Sequence, residues 1–575
     1  MEKIWLKHYD AGVPHTIDYP QITLHQLLED TANRFPKSTA VIFPGRFGDS
    51  YRLSYAELNL QVNRMANALM DLGVKKGDRV ALLLPNCPQF VISYYAVLKV
   101  GGIVVATNPL YTPREMEFQL KDCGAETIIL LSLFYNSVMG IKEKTDLRNV
   151  VVTNIKEYLP PLSRFLFTLF REKKEGHRVD TSGAANIHSF QNLLRRHDAT
   201  PPSVSVNQED VAMFQYTGGT TGLSKAAVAT HRNVLANLFQ LRAWGEPMGF
   251  VEGEEAVLGV MPLFHVYGMV LVMHFSVLGG AAMVLLPRFE TDQVLKAISR
   301  YKPAFFPGVP TMYVAINNHP KVSEYDMSSI KTCNSGAAPL PVEVQQEFER
   351  LTGGKLVEGY GLSEAPTATH ANPLIGLRKT GSIGVPLPDV EAKLMDAETG
   401  QKEMPVGEIG ELVVKCPQVM REYWNRPEET KMVLRDGWLY TGDLAKMDED
   451  GFFSIVDRKK ELIIASGFNI YPREVEEVLY EHPKVKEAVC YGIPDPYRGQ
   501  TVKVAIVLKE GETATADEII EFSRQHLARF KVPKLVEFRD SLPKSLIGKV
   551  LRRVLVEEEA QKARSAEAQG EPAEK

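Results

Sequence analysis

Cysteine is scarce in this chain: five among 575 residues, at positions 87, 123, 333, 416 and 490. They are odd in number, far apart and free of any Cys-x-x-Cys pair, which excludes a disulfide framework and a zinc site of the usual spacing. The expected compartment is reducing and cytoplasmic. Positive charge is also in short supply. Lys and Arg total 66 against 71 Asp and Glu, a net charge of −5, the wrong balance for a chain whose main partner is nucleic acid. The first twenty residues lack an apolar run, so no secretory signal is expected. One stretch without Asp, Glu, Lys or Arg, Gly268 to Leu286, is long enough to span a bilayer. His274 and the Gly279-Gly280 pair interrupt it, and its halves read as a buried helix and a buried strand.

What is present suits a large globular protein. With 44% hydrophobic residues, the length allows about four units of about 150 residues. From residue 50 onward, helical patterns alternate with short apolar runs at 79–86, 101–109 and 126–132, which implies parallel strands with crossover helices. Ser54 with Glu57 three residues on, and Gly73 at the far end, predict a capped helix over 55–72. The pattern recurs around 210–310. It breaks at 155–205, which reads as an insertion, and again at 384–455, a β-rich block with Gly and Asp turns. After Lys460 come a helix near 472–482, strands at 485–493 and 501–509, and a helix near 516–529. The expected fold class is α/β: a large N-terminal domain (1–459) of two stacked α/β layers plus the small β-rich subdomain, then a small mobile α+β C-terminal domain (460–555). Residues 556–575 lack an apolar face and are expected to fray as a flexible tail.

The densest chemical signal runs from Tyr216 to Lys225: Tyr-Thr-Gly-Gly-Thr-Thr-Gly-Leu-Ser-Lys. Glycines let backbone N–H groups approach phosphate oxygens, hydroxyls add donors and the lysine adds charge. It is not a Walker A loop, because Gly222 and Lys225 are separated and Ala226 follows.

Four further segments follow in order: NSGAAPL at 334–340, GYGLSEA at 359–365, WLYTGDLA at 438–445 and DRKKELIIASGFNIYP at 457–472. Together with the glycine–threonine loop they resemble the AMP-forming acyl-CoA synthetases of the adenylate-forming superfamily, over about residues 25–554. The loop and the segment SGFNIYPREVEEVL are most similar to bacterial long-chain fatty-acid CoA ligases. The resemblance implies ATP, Mg²⁺ and coenzyme A as cofactors and a carboxylate attacking the α-phosphate of ATP. A thiol then attacks the acyl-adenylate. Catalysis of this kind rests on positioning and electrostatic stabilisation.

Carried over residue by residue, the resemblance assigns Thr217, Gly218, Gly219, Thr220, Thr221, Gly222 and Lys225 to the phosphate cradle and Glu364 to Mg²⁺. Gly336, Ala337 and Ala338 would line the adenine slot, with Glu358, Gly359, Tyr360, Gly361 and Ser363 beside it and Tyr360 stacking on the base. Asp443 would hold the ribose hydroxyls and Arg458 the same nucleotide. Lys460 occupies the hinge position, Gly467 the pantetheine channel, and Lys549 in PKSLIGK would serve the adenylation step. His265 in PLFHVYGM matches a position near the carboxylate end of the acyl pocket. Departures from the family pattern are Ala226 after the loop lysine, where an added Cβ is expected to narrow the loop, Leu223-Ser224 where x-Pro is usual, Ser363 for threonine, and Ile547 before Gly548-Lys549.

The uncharged segment from Gly268 to Leu278 could wall a tunnel for an alkyl chain and would not suit a charged amino acid. A fatty acid is therefore favoured over a charged amino acid, and the resemblance implies a long-chain one. The alternatives are a medium-chain or aromatic acid, or a non-catalytic binder of the same fold. In the insertion, Leu162, Phe165, Leu166, Leu169 and Phe170 form an apolar stripe beside Arg164, Arg171, Lys173 and Lys174. Two readings stand: the stripe packs onto the main domain, or it touches a membrane from which substrate is drawn.

Overall fold

Local chemistry places the elements. Ser54 accepts a hydrogen bond from the Glu57 amide at 3.2 Å, and Glu57 Oε2 accepts from the Ser54 amide at 2.8 Å, so the expected helix runs Tyr55–Asp71. Gly73, at φ +89°, ends it in a conformation other residues avoid. The computed structural model describes residues 3–181, 186–217, 224–336, 338, 340–465, 468–495, 498–545 and 550–569.

Among these residues, the apolar runs assemble into two large sheets. An eight-stranded sheet takes Arg79–Leu83, Ile103–Ala106, Thr127–Leu131 and Asn149–Thr153 as parallel neighbours and continues at one side through the hairpin Val211–Thr217 and Lys225–Thr230 to a short edge strand, Glu422–Tyr423. A nine-stranded sheet carries Ala282–Leu285, Ala256–Gly259, Phe305–Gly308, Thr332–Ser335 and Lys355–Leu362 in parallel order. One hydrophobic cluster holds side chains of both, such as Val80, Leu82, Val257, Met283 and Phe306. Helix Pro88–Lys99 is buried along its whole length within that cluster. Parallel strands demand such cover on both faces, which is why they read as unbroken apolar runs.

The segment Gly268–Leu286 belongs to this core. It forms a π-helical stretch, Met269–His274, then helix Phe275–Gly279 and strand Ala282–Leu285, with Gly280 at φ +63° between. His274 is buried and bonded to the hydroxyls of Tyr95 at 2.8 Å and Tyr94 at 3.1 Å. No helix among the described residues is long and apolar enough to cross a membrane.

The β-rich block forms an antiparallel sheet from Glu391–Met395, Ile409–Lys415, Leu434–Arg435, Trp438–Met447 and Phe453–Arg458. A fourth sheet, built on the long hairpin Val485–Asp495 and Gly499–Leu508, packs with helices Pro472–Tyr480 and Ala516–His526 as a smaller C-terminal unit. The chain is thus α/β with a large N-terminal and a smaller C-terminal domain. The stretch expected as a flexible tail from 556 differs at its start. Helix Arg552–Gln569 buries Leu555 and is tied down where Lys503 meets Glu559 at 2.8 Å and Arg539 meets Glu558 at 2.5 Å. Charge pairing with a neighbouring strand holds what an absent apolar face could not.

Candidate active site

The C-terminal ends of the parallel strands, the β-rich sheet and the small domain face one cleft of about 2510 Å³. Open α/β sheets bind ligands at such strand ends. Thr217, Lys225, His265, Gly336, Ala338, Glu358, Gly359, Tyr360, Gly361, Ser363, Glu364, Asp443, Arg458 and Lys460 all line it. Residues scattered over more than two hundred positions of sequence therefore converge. Gly218, Gly219, Thr220, Thr221, Gly222, Ala337, Gly467 and Lys549 lie outside the described residues.

At the phosphate end, the hairpin pairs Thr217 with Lys225, so the two ends of the glycine–threonine loop are held side by side. Ser224 Oγ donates to the Thr217 carbonyl at 2.6 Å. Lys225 Nζ lies 3.8 Å from Glu429 Oε1 and 5.4 Å from the centre of the Tyr423 ring. The Tyr423 hydroxyl donates to Glu364 Oε1 at 2.7 Å, and burial followed by the Glu364 charge raises its pKa. Tyr423 thus stands between the cation and the carboxylate that the sequence singles out. Ala226 departs from expectation: its side chain is fully buried in the sheet core with Phe214 and Val228. Its Cβ fills the core under the strand.

Close contacts shape the cleft around Gly336 and Gly361, where the sequence reading expects adenine and ribose. A Cβ on Gly336 would meet the Tyr267 ring at 3.4 Å, and one on Gly361 would fall 1.6 Å from the Thr367 carbonyl oxygen. Glycine is required at the second by space alone. Tyr267 is buried and its hydroxyl reaches the Asn334 carbonyl at 2.7 Å, which fixes the strand end under Gly336. Glu358 is 8% exposed and accepts from the Leu340 amide at 3.2 Å. Burial pushes its carboxyl up to about 7, partly opposed by that amide and by Arg473. The Tyr360 hydroxyl donates to Asp443 Oδ2 at 2.5 Å, and Arg458 Nε stands 3.4 Å from Asp443 Oδ1. Cross-strand pairing of Asp443 with Arg458 sets that geometry.

Beside this pair, Lys459 meets the buried Glu411 at 2.8 Å, and Glu411 Oε1 accepts from the Gly442 amide at 3.1 Å. The small domain closes the cleft through Arg473, which donates to the Ile455 carbonyl at 2.6 Å, while Arg552 pairs within the small domain with Glu461 and with Glu476 at 2.7 Å. A bridge between Lys544 and Val550 brackets the segment that contains Lys549, and both bracketing residues line the cleft. His265 is half-buried, and its Nδ1 accepts from the Tyr267 amide at 3.2 Å as the cap of a short helix. Tyr423, Glu429 and Glu411 join the site without a sequence signal, and only folding brings them near; Tyr267 and Arg473 lie inside quoted segments, PLFHVYGM and SGFNIYPREVEEVL, that gave them no role.

On its other side the cleft is apolar, walled by Leu241, Trp244, Phe250, Leu271, Phe275 and Phe305. Phe275 and Phe305 have ring centres 5.3 Å apart, and Phe250 lies 5.9 Å from Phe275. The site therefore joins a polar half lined by charges of both signs to an apolar half.

The model of the AMP-binding enzyme family matches residues 28–424, and that of the AMP-binding enzyme C-terminal domain matches 474–549. A long-chain-fatty-acid–CoA ligase of Bacillus subtilis (strain 168) is 49% identical over 563 residues, 97% of this chain and 99% of the relative. Among solved structures, the anthranilate CoA ligase AuaEII in complex with anthranoyl-AMP aligns with a TM-score of 0.81 at 28% identity, covering 95% of this chain and 98% of that one. ATP-bound MatB from Rhodopseudomonas palustris aligns with a TM-score of 0.80 at 28% identity, over 93% and 99% of the two chains. By family model, by near-full-length identity and by fold alike, the chain belongs to the AMP-binding enzyme family.

Proposed function

We propose that the chain activates a long-chain fatty acid with ATP, releasing pyrophosphate, and passes the acyl group from acyl-AMP to coenzyme A. The observation that carries this reading is the single cleft in which a phosphate end and a ribose end adjoin an uncharged aromatic and aliphatic pocket. The 49% identity to a long-chain ligase supports the chain length over the aromatic and medium-chain alternatives.

In this reading Thr217 and Lys225 hold the β- and γ-phosphates, with Gly218, Gly219, Thr220, Thr221 and Gly222 supplying amides and hydroxyls. Asp443 accepts from the ribose, Arg458 steadies the same nucleotide, and Gly336 and Tyr360 flank the base. Displacing the Tyr360 hydroxyl from Asp443 frees a carboxylate oxygen for the sugar. Glu364 suits a magnesium ion, since magnesium takes one or two carboxylates and fills its shell with phosphate oxygens. Glu429 stands by as a second carboxylate, its Oε1 3.8 Å from Lys225 Nζ and its Oε2 3.8 Å from Arg426 Nε. Bound there, the ion would neutralise charge that builds on the phosphates. Lys549, bracketed by cleft-lining residues, is assigned to the attacking carboxylate and the α-phosphate. A flexible point charge suits two neighbouring oxygens. His265 marks the junction of acyl pocket and nucleotide. Lys460 is assigned to the hinge and Gly467 to the channel by which the thiol enters after the small domain turns.

Steady-state rates on a saturated series from hexanoate to octadecanoate, with benzoate as control, test the substrate class. The expected kcat/KM rises toward the long acids; a maximum at benzoate or hexanoate would overturn the assignment.

A further inference from the structure

Helix Pro161–Phe170 turns its apolar side chains outward. Leu162, Phe165, Leu169 and Phe170 are 54%, 61%, 59% and 70% exposed. The helix is seated by other groups: buried Ser163 donates to Asp49 Oδ1 at 2.9 Å, and Phe167 lies edge-on to His177 at 5.5 Å. The first contact presses the helix against the turn joining strands Thr39–Pro44 and Ser50–Ser54. A Cβ on Gly45 would lie 2.5 Å from Ser163 Oγ. At the tip of that turn Phe47 is 59% exposed. Five large exposed apolar side chains from two segments remote in sequence therefore lie on adjoining elements. Single exposed apolar residues are ordinary, but a contiguous group marks a contact surface.

Cations surround it. Arg46, Arg164, Lys173 and Lys174 are exposed and have no carboxylate within 4 Å among the described residues. The guanidinium of Arg300 lies 3.0 Å from where a Gly48 Cβ would be. Nearby acids have partners of their own: Glu172 with Lys156 at 2.6 Å, Glu175 with Arg171, Asp49 with Ser163, and Glu157 with the Thr153 hydroxyl at 2.6 Å, though Glu157 also feels the charge of Arg164. We propose that this patch docks the protein on an anionic lipid surface, the aromatic rings entering the interface while the cations meet headgroup charge. A second copy of the chain fits less well, because a two-fold contact would set the same cations against each other. The benefit of docking, access to a lipid-borne acid, rests on the fatty-acid reading; the contact itself does not.

Co-sedimentation of the full-length protein with phosphatidylcholine vesicles, with and without one part in four of phosphatidylglycerol, tests it without substrate. The protein should bind the anionic vesicles. Phe165→Ser with Phe170→Ser should weaken binding roughly tenfold or more, and Phe47→Ser should weaken it alone. Arg164→Gln with Lys173→Gln and Lys174→Gln should abolish the preference for phosphatidylglycerol and its salt sensitivity. Melting temperature and turnover of a dissolved short-chain acid should not change. Equal vesicle binding by wild type and the Phe165/Phe170 variant would overturn the proposal. So would a melting temperature that falls while vesicle binding holds, or a dimer that this variant splits without affecting vesicles. Failure of ligase activity with vesicle binding intact would count against the fatty-acid reading alone.

Discussion

A carboxyl group held in a nearly closed slot gives the site a measurable pH signature. Glu358 is raised from 4.5 to about 7 chiefly by burial. An acid with a folded pKa above its unfolded value keeps its proton in the fold while the unfolded chain releases it. Stability therefore falls as pH rises from about 4.5 toward about 7 and levels off above, by about 3 kcal/mol in all. Glu358→Gln should flatten that part of the melting-temperature profile and melt higher above neutrality; a parallel profile for both proteins would contradict the assignment. Tyr423 offers a second test. Removing its hydroxyl from Glu364 costs a hydrogen bond to a charged group, about 1.5 kcal/mol, so Tyr423→Phe should raise the KM for magnesium–ATP roughly tenfold with little change in melting temperature. An unchanged KM would place Tyr423 outside the phosphate end. These two residues also mark the limit of legibility. Glu358 stood next to a readable motif, whereas Tyr423 sits in a segment whose composition says nothing, and it gains its place by pairing Glu422–Tyr423 with the strand that begins at Lys225.

At the level of elements, periodicity was enough to find the capped helix at 55, the parallel strands and the hairpin of the small domain. Each is driven by its own apolar pattern or cap. Periodicity gave no orientation for helix Pro161–Phe170, because a stripe has the same spacing whether it meets protein or solvent. The π-helical turn at Met269–His274 was also unreadable, since it arises from packing of His274 against two tyrosines rather than from local preference. That turn leads into the aromatic wall of Phe250, Phe275 and Phe305. Phe250 and Phe275 also line a small neighbouring cavity with Arg242, Glu252 and Ala281. The rings thus divide the acyl side of the cleft from a space near the surface. Phe250→Ala or Phe275→Ala should shift the kcat/KM optimum to longer acids, at a cost of about 3 kcal/mol in stability. An unchanged optimum in a folded variant would show that the chain ends elsewhere.

For the whole molecule, the proposed reading has the same cleft serve two half-reactions, one assigned to Lys549 and the other to a thiol channel near Gly467. Lys549→Ala should slow acyl-AMP formation about 100-fold or more, the loss of about 3 kcal/mol of transition-state stabilisation, while leaving thioester formation from supplied acyl-AMP intact. Gly467→Leu should do the reverse. Equal losses in both half-reactions for either variant would contradict a division of labour between two domain positions. The overall architecture was legible because five motifs occur in a fixed order. The contact that closes the small domain on the cleft, Arg473 with the Ile455 carbonyl, was not, since nothing in a charged residue's neighbours names a partner across a domain gap. The central claim is that this cleft joins the carboxylate to the α-phosphate of ATP. The most direct measurement follows heavy oxygen from a doubly labelled palmitate carboxylate through a complete turnover with ATP and coenzyme A. The account predicts one labelled oxygen in the AMP released and the other retained in palmitoyl-CoA; label in inorganic phosphate with ADP as product, or AMP free of label, would contradict it.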